Sequence, residues 1–431
     1  MAIVQTSKKS CTVNPLKMSQ PIGAALAFMG LDHCMPTLHG SQGCTSFGLV
    51  LLVRHFREMI PLQTTAMNEV TTILGGMDNV EQALLNIWQR THPDIVGLIS
   101  TGLTETKGDD VEGFLKLIRE RHPELAEMAI LPVSTPDYVG AFQDGWSKAV
   151  TRMVQTLAEP CEVKLAQRIN VLPGAHLTPG DLEELRDLFT AFGLEPVFIP
   201  DLSRSLDGHI PDDFTPTTLG GTTLQQLRTM GAARATVAIG EQMHAAAIEL
   251  EIRTGVPYTL FDRLTGLGAC DQFVQHLSRL SGKPVPQKYR RQRSQLQDAM
   301  LDAHFFTGNK RIALGAEPDL LWSIGNFLVE MGCHIQCAVT TTHSPVLERF
   351  PAERVLIGDL EDLESQAPGC DLLITHSHGR QMAERLHLPF MRMGIPTFDR
   401  LGVAHRTTVG YRGTRELVFE LANVFMEHPL H

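Results

Sequence analysis

The sequence lacks the features expected of a protein that binds nucleic acid or spans a membrane. Its 431 residues include 37 Lys and Arg against 48 Asp and Glu, a formal net charge of −11. A phosphate backbone requires a basic face, and the one short basic run, KYRRQRSQ at 288–295, is more typical of the solvated face of a helix. No run reaches the roughly 18 apolar residues of a membrane helix.

Cysteine is sparse, and the N-terminal twenty residues have no apolar segment typical of a secretion signal. The eight cysteines do not have the spacing of a disulfide framework. They lie at positions 11, 34, 44, 161, 270, 333, 337 and 370. We therefore expect a cytoplasmic, reduced protein whose thiols are free, buried or bound to metal.

Phosphate-binding motifs are also missing. The chain has no G-x-x-x-x-G-K-[ST], and the segment LGAEPD around Gly315 is not G-x-G-x-x-G. A tight turn between a strand and a helix explains Gly315 better than a nucleotide site does. A plain nucleotide-dependent α/β enzyme is accordingly not favoured.

Short apolar runs alternate with amphipathic helical patterns. The run at 94–100 predicts a buried strand followed by a polar loop, then a helix from 111 with Phe114, Leu115 and Ile118 on one face, and a second strand at 129–135. This is the β-α-β unit of a parallel sheet.

The unit recurs at 169–201, where Thr178 is placed to cap a helix, and again from residue 310. The sequence thus predicts three Rossmann-like doubly wound α/β domains with mainly parallel sheets. We place their boundaries at 1–160, 161–298 and 299–431, the last with a C-terminal helix.

Most cysteines are expected to have structural roles. Cys333 is predicted to end a helix and Cys337 to lie in a strand, so that their thiols diverge, and we expect both to be buried. The same interpretation covers Cys161, Cys270 and Cys370.

Two polar segments near the C-terminus have open interpretations. THSHG at 375–379 follows a predicted strand, where α/β proteins build sites, but exposure or capping explains its histidines equally well. The segment 397–413, TFDRLGVAHRTTVGYRG, could form a structural hydrogen-bond network, a subunit contact or a site. Taken alone, the structural network is favoured.

Cys44 differs from the other cysteines because it lies among glycines and small polar residues in HGSQGC. Gly40 and Gly43 leave room around the sulfur. Its thiolate could ligate an iron–sulfur cluster, but such clusters usually need about four protein ligands. No companion cysteine is well placed in the N-terminal domain, so either the thiol is buried or a second polypeptide supplies the other ligands.

Several motifs in this order resemble the beta-type subunits of nitrogenase component 1. They are NPLKMSQPIGAALAFMGLDHCMPTLHGSQGC, RHFRE, AMNEVTTILGG, STGLTETKGDD, STPDYVGAFQDGW and GIPTFDRLGVAHRTTVGYRG. The resemblance spans nearly the whole chain and implies the nitrogenase component 1 fold. It is strongest over 21–146 and 371–413.

The departures from the catalytic beta subunit are informative. That subunit holds its P-cluster with three cysteines, to which a serine can add a ligand. Cys44 keeps the first cysteine, whereas the second position falls near Leu62, the third at Gly102 and the serine at Asp137. A half-site without two of its three thiolates cannot hold its share of an eight-iron cluster.

This pattern looks like the beta-type subunit of the scaffold on which the iron–molybdenum cofactor of nitrogenase is matured. The resemblance implies a 4Fe–4S cluster shared with a NifE-type alpha subunit, to which Cys44 contributes one ligand and the partner three. Gly43 and Thr45 would then be donors to the cluster sulfur atoms. No catalytic residues are predicted, and the chain is expected to act as a scaffold subunit rather than an enzyme.

The resemblance further implies an α2β2 heterotetramer that holds the cofactor precursor mainly on the partner subunit. Transient partners would be NifB, the Fe protein NifH and apo-nitrogenase. Two alternatives stay open: a catalytic nitrogenase beta subunit, and a subunit of dark-operative protochlorophyllide reductase. Leu62 and Gly102 argue against the first, since neither binds iron, and the 397–413 segment favours the nitrogenase branch over the second.

Overall fold

A computed structural model of the chain describes residues 1–9 and 11–428. Fourteen strands lie within these residues. They are β1 (Ile3–Thr6), β2 (Cys34–His39), β3 (Gln63–Thr64), β4 (Ile95–Ser100), β5 (Ala129–Val133), β6 (Leu165–Pro173), β7 (Glu195–Phe198), β8 (Ala233–Ile239), β9 (Tyr258–Phe261), β10 (Arg311–Gly315), β11 (His334–Thr340), β12 (Arg354–Ile357), β13 (Leu372–Thr375) and β14 (Phe390–Arg392).

Sixteen α-helices connect and cover these strands in the same described ranges. They are α1 (Gln20–Met29), α2 (Gln42–Phe56), α3 (Glu69–Leu74), α4 (Met77–Thr91), α5 (Gly102–Lys107), α6 (Val111–Arg121), α7 (Phe142–Leu157), α8 (Pro179–Ala191), α9 (Leu224–Arg228), α10 (His244–Thr254), α11 (Leu267–Ser281), α12 (Gln287–Thr307), α13 (Pro318–Glu330), α14 (Leu360–Gln366), α15 (Arg380–Leu386) and α16 (Gly410–Glu427).

Short 3-10 helices complete the secondary structure. They cover Pro123–Glu127, Leu202–Arg204, Thr229–Ala232, Glu241–Met243, Pro345–Arg349, Ser377–Gly379 and Val403–His405.

The strands form three sheets, with orders β3-β2-β4-β5, β7-β6-β8-β9 and β1-β12-β11-β10-β13-β14. Every strand pairing between these elements is parallel. Because parallel neighbours need crossover connections, helices alternate with strands along the chain. The predicted α/β class with doubly wound, mainly parallel sheets is confirmed.

The predicted β-α-β units are present in all three sheets. Strand β4, helix α6 and strand β5 follow the predicted order, and Leu115 and Ile118 of α6 are buried. Helix α8 begins as predicted, since the Thr178 side chain accepts a hydrogen bond from the Asp181 N–H at 3.0 Å. A capping side chain replaces one of the hydrogen bonds that the first helical turn lacks.

The segment predicted as a polar loop after β4 contains the short helix α5. Thr101 precedes this helix, and its backbone N–H donates to the Thr104 side chain at 3.2 Å. Gly108 then ends the helix in a left-handed conformation, with φ of +80°. Local capping therefore stabilises a helix whose six residues carry no apolar periodicity to reveal it.

The division into three domains stays a prediction, and two features bear on where its boundaries would fall. Strand β1 pairs with β12 in the C-terminal sheet, although its residues fall within the predicted range 1–160. Position 298 lies inside the continuous helix α12. Residues 429–431 of the third predicted domain lie outside the described residues.

The structural cysteines are largely as predicted. Cys333 follows α13 and Cys337 lies in β11, and both are buried, as are Cys270 and Cys370. Cys161 is an exception because it is only half-buried. It lies between α7 and β6, where its thiol donates to the Val163 carbonyl at 3.2 Å.

Helices α1 and α7 cross in contact at two glycines. A Cβ atom on Gly23 would overlap the Phe142 carbonyl oxygen, and one on Gly145 would overlap the Gln20 carbonyl oxygen. On α7 the buried Trp146 indole also donates to the Pro173 carbonyl of β6 at 2.9 Å. The crossing therefore joins the N-terminal sheet to the second one, and only glycine permits so close an approach.

Gly145→Ala tests this crossing. We expect the added methyl group to lower the free energy of unfolding by about 1–3 kcal/mol, because backbone must move to accept it. Urea denaturation monitored by circular dichroism measures the change. Gly268→Ala is the matched control, since a Cβ there meets only the Glu330 carboxylate, at 3.7 Å. Equal midpoints for the two variants would contradict the proposed close packing.

Asp319, in the first turn of α13, makes the stability of the folded protein depend on pH. It is 1% exposed, and burial raises its pKa to about 7 although Gln242 donates to it through its backbone N–H and side-chain amide, at 3.1 and 2.9 Å. A folded-state pKa above the unfolded value favours the folded protein at low pH. That contribution is complete below about pH 4 and is lost as the pH rises through 7.

Asp319→Asn should remove this dependence. Between pH 5 and pH 8 we expect the parent protein to lose roughly 1–4 kcal/mol of stability relative to the variant. Chemical denaturation at several pH values measures the difference, with the exposed Asp298→Asn as control. A constant difference across that range would show that Asp319 is ionised in the folded protein throughout.

Candidate functional site

Three of the four positions singled out by the family resemblance lie along one edge of the N-terminal sheet. Strands β2, β4 and β5 are parallel neighbours and end at His39, Ser100 and Val133. The segments carrying Cys44, Gly102 and Asp137 follow these three strand ends, so they emerge at the same edge. In open α/β sheets this carboxyl edge is where ligands bind.

Cys44 occupies the first turn of helix α2, two residues after its first residue. The sequence indicated only a glycine-containing turn there. The thiol is exposed, and its Sγ lies 3.5 Å from the Ser41 Oγ. Ser41 precedes the helix but makes no capping hydrogen bond from its side chain. The backbone N–H groups of this first turn are therefore directed toward any anionic group bound beside Cys44.

The two predicted donors beside Cys44 have different surroundings. Gly43 is exposed in the first turn of α2, where backbone N–H groups lack helical acceptors. Thr45 is buried, and its Oγ1 has no hydrogen-bond partner among the described residues. Its backbone N–H falls within the regular i→i−4 ladder of the helix. Gly43 thus has the more accessible N–H, and neither role is tested by this geometry.

Gly102 and Asp137 face each other at the same edge. A Cβ atom on Gly102 would overlap the Asp137 carboxylate. The loop carrying Asp137 is held from below by the buried Gln20, whose side-chain amide donates to the carbonyls of Pro136 and Val139, at 3.1 and 2.6 Å. Asp137 therefore occupies the space in which a side chain at position 102 would lie.

Leu62 belongs to the apolar interior. It is 7% exposed and lies 3.6 Å from the Cβ position of Gly48 on α2. The positions corresponding to further cluster ligands thus present a buried hydrocarbon, a glycine and a carboxylate. Within residues 1–9 and 11–428, no three His, Cys, Asp or Glu side chains converge so as to hold a metal ion. The residues present fit one cluster ligand rather than a complete set.

Exposed apolar side chains follow Cys44 along α2. Phe47 and Val50 follow Cys44 at helical spacing and are 65% and 53% exposed. Beyond the ends of β4 and β5, Leu103, Tyr138 and Val139 are also exposed. Several exposed apolar side chains at one edge of a sheet are typical of an interface with another chain.

A buried hydrogen-bond network supports the Cys44 segment from inside. His39 contacts Thr65 through Nδ1 at 2.9 Å and Asp109 through Nε2 at 3.2 Å. Its backbone carbonyl accepts from the hydroxyl groups of Thr101 and Thr104, at 3.0 and 3.1 Å. Burial lowers the pKa of His39, and the neighbouring Asp109 opposes that shift. Sequence reasoning did not single out His39 or Asp109, although HGSQGC and KGDD contain them.

The histidines of THSHG follow strand β13 of the third sheet. His376 is buried after β13, where Nε2 bonds the Leu16 carbonyl at 3.0 Å and Nδ1 accepts from the His378 backbone at 3.3 Å. His378 is exposed. Capping therefore explains His376, and surface exposure explains His378.

The segment 397–413 forms the structural network that its composition favoured. Asp399 pairs with Arg392 at 2.8 Å, and Arg406 donates to the Arg392 carbonyl at 2.7 Å. The Thr408 N–H donates to the buried Asp181 carboxylate at 2.5 Å, which joins this segment to α8. These contacts connect the C-terminal sheet to the second one.

None of the helices in the described ranges is both long enough and apolar enough to cross a membrane.

Comparisons with known proteins agree with the fold. The family model for nitrogenase component 1 type oxidoreductases matches residues 19–426. The nitrogenase iron-molybdenum cofactor biosynthesis protein NifN of Bradyrhizobium diazoefficiens is 59% identical, over 99% of this chain and 92% of its own length. The NifN protein of a Nostoc species is 54% identical, over 99% and 96%.

A solved structure of nitrogenase Cp1 at pH 6.5 superposes with a TM-score of 0.92 and 32% identity, covering 98% of this chain and 95% of that one. The structural agreement over nearly the full length is consistent with the three parallel sheets described above. Together, these matches show that the chain belongs to the nitrogenase component 1 type oxidoreductase family, within which it resembles the NifN proteins.

Proposed function

We propose that this chain is the beta-type subunit of a scaffold complex on which the iron–molybdenum cofactor of nitrogenase is matured. The observation that carries the proposal is the exposed thiol of Cys44 at the start of α2. Among the described residues, no second cysteine lies at this edge of the sheet. The similarity to NifN proteins, whose name states this biosynthetic role, supports it.

Cys44 is proposed as one ligand of a 4Fe–4S cluster shared with a NifE-type alpha subunit. Four thiolates usually hold such a cluster, so the partner must supply three. The exposure of Cys44 leaves its sulfur within reach of a second chain, and the exposed Phe47 and Val50 provide apolar surface for that chain to cover. The complex is then an α2β2 heterotetramer of two such pairs.

When bound, the cluster supplies one-electron transfer between a docked Fe protein and the cofactor precursor. In this proposal the chain contributes a thiolate at Cys44 and the N–H of Gly43, which lies in the first turn of α2 and would donate to a cluster sulfur. We retain Thr45 as a second proposed donor. Hydrogen bonds to the sulfur atoms and exclusion of water by neighbouring apolar side chains set the potential of such a centre.

The cofactor precursor itself is proposed to be held mainly by the alpha subunit. In this scheme NifB delivers it, molybdenum and homocitrate are added with the Fe protein NifH, and apo-nitrogenase receives the product. The described residues of this chain offer no group of three metal-ligating side chains that would serve as the precursor's own site. A cytoplasmic location is consistent with eight cysteines that are all free.

Two other functions are disfavoured by specific residues. A catalytic nitrogenase beta subunit would need ligands where Leu62 is buried and Gly102 is covered by Asp137. Protochlorophyllide reduction would also place a cluster at a subunit interface, but the family relatives support the nitrogenase branch. Reduction of dinitrogen or of the pigment by the purified complex would favour one of these alternatives.

Cys44→Ala in the two-subunit complex tests the ligand assignment. We expect iron content to fall by up to about four atoms per alpha–beta pair and the paramagnetic spectrum of the cluster to change or vanish, because a methyl group cannot bind iron. Cys11→Ala is the matched control, since that thiol is also exposed but lies outside the edge. Full iron content with an unaltered spectrum in Cys44→Ala would refute the assignment.

The purified chain without its partner should bind no stable cluster. One thiolate leaves the remaining iron atoms without protein ligands, so iron added anaerobically is expected to be removed by desalting. Iron analysis of the chain alone and of the two-subunit complex measures the difference. Stoichiometric iron retained by the isolated chain would show that the ligand set is complete without a partner.

A further inference from the structure

A chain of buried polar contacts runs from the residue at the end of β2 to the surface helix α3. His39 is joined to Thr65 on one side and Asp109 on the other, with side chains of His39 and Asp109 0% and 4% exposed. Asp109 pairs with the Lys107 ammonium at 3.3 Å, and Lys107 donates to the Thr71 carbonyl of α3 at 3.1 Å. The contacts connect the end of β2, the loop after β3, helix α3 and the end of α5.

The donors and acceptors of this network are compatible with a neutral His39. Asp109 can only accept when ionised, so Nε2 carries a hydrogen and donates to it. The Thr65 Oγ1 already accepts from the Gly40 N–H at 3.2 Å. Thr65 can therefore donate its hydroxyl hydrogen to Nδ1 of a neutral imidazole, which satisfies both ring nitrogens.

The same contacts fix the backbone immediately before Cys44. The Gly40 N–H is held by Thr65, and the His39 carbonyl accepts from both Thr101 and Thr104. A Cβ atom on Gly40 would lie 2.5 Å from the Thr101 Oγ1. The chain thus enters α2 through a position with almost no freedom to shift.

By contrast, little restrains the thiol itself. The Ser41 side chain does not cap the helix, and its hydroxyl is the hydrogen-bonding neighbour of the Cys44 sulfur in the described structure. The position of the thiolate is therefore set by the His39–Gly40 backbone rather than by contacts of the Cys44 side chain. A displacement of this backbone would move the sulfur by a similar amount.

We propose that His39 and Asp109 are positioning residues for the cluster ligand. Through Thr65 and Gly40, their buried hydrogen bonds hold the start of α2 so that the Cys44 thiolate meets iron in the geometry fixed by the partner's ligands. The inference rests on the proposed function, because it concerns the same thiolate. It predicts that the two residues influence the cluster without contacting it.

His39→Leu and Asp109→Ala in the two-subunit complex test this role. Residues that orient metal ligands typically change metal affinity by about 10–100-fold when altered. We expect each variant to accelerate iron release to a chelator by about tenfold or more, and to shift the paramagnetic spectrum and midpoint potential of the cluster. The double variant should be little worse than either single variant, because the two act through one hydrogen bond.

Asp109→Asn provides the conservative rescue. Its side-chain oxygen can still accept from Nε2 of His39, so its chelation rate and spectrum should lie close to those of the parent complex. If His39→Leu does not assemble, Thr65→Val serves instead, since it keeps the shape of Thr65 but removes both hydrogen bonds of its hydroxyl group.

His376→Leu is the matched control for a purely structural effect. His376 is also a buried histidine with both ring nitrogens bonded, but it lies in the C-terminal sheet. It should lower the melting temperature while leaving the chelation rate, spectrum and potential unchanged. The inference is overturned if the His39 and Asp109 variants, or Thr65→Val in their place, behave in the same way as this control.

The two proposals can fail separately. If the Cys44→Ala complex retains its iron, Cys44 is not a cluster ligand and the inference loses its basis. Loss of iron from Cys44→Ala, together with unaltered chelation and spectra in the His39 and Asp109 variants, would leave the proposed function in place. The role of the network would then be confined to stability.

Discussion

The parallel pairing of β2 with β4 is the constraint on which the candidate site depends. It aligns His39 with Ser100, so the segments after these residues leave the sheet side by side. The hydroxyl groups of Thr101 and Thr104 then bond the His39 carbonyl and fasten the two segments together. The start of α2, and therefore Cys44, is placed by this alignment.

The firm hold on the backbone that leads to Cys44 has a consequence for assembly. Backbone freedom that is already lost in the free subunit is not lost again on binding, so a prearranged ligand segment lowers the entropic cost of association. The exposed apolar side chains beside it, Phe47 and Val50, add surface that a partner can bury. Metal coordination and apolar burial would thus act on the same small area, and a shared cluster would make the strength of the complex depend on iron.

Much of this architecture could be predicted from local patterns. The helix after Thr178 and the buried strand β4 follow from capping and from apolar runs, which depend on few neighbouring residues. The pairing of β1 with β12 could not be predicted, because it joins residues some 350 positions apart and nothing in a four-residue strand identifies its neighbour. Helix α5 was missed because capping alone marks it.

The candidate site likewise combines a residue that local patterns reveal with residues that only the fold brings together. Cys44 could be identified from its composition and from the resemblance, since a thiol among glycines is unusual in a sequence. The contact of His39 with Asp109 joins residues 70 positions apart, and its partner Thr65 belongs to a third segment. A histidine before a glycine has no pattern of its own, so only the folded arrangement identifies it.

Several packed residues in different parts of the fold, rather than one substitution, keep further cluster ligands out of this edge. A side chain at Gly102 would have to displace Asp137, whose loop is anchored through Gln20 to the packed helix α1. Leu62 lies in the apolar core, so a thiol there would leave unfilled volume behind α2. Restoring a fuller set of ligands would therefore require compensating changes in the loop and in the core. Under the proposed function, the fold of this chain therefore favours a single thiolate at the interface, and the complementary ligands would come from the partner subunit.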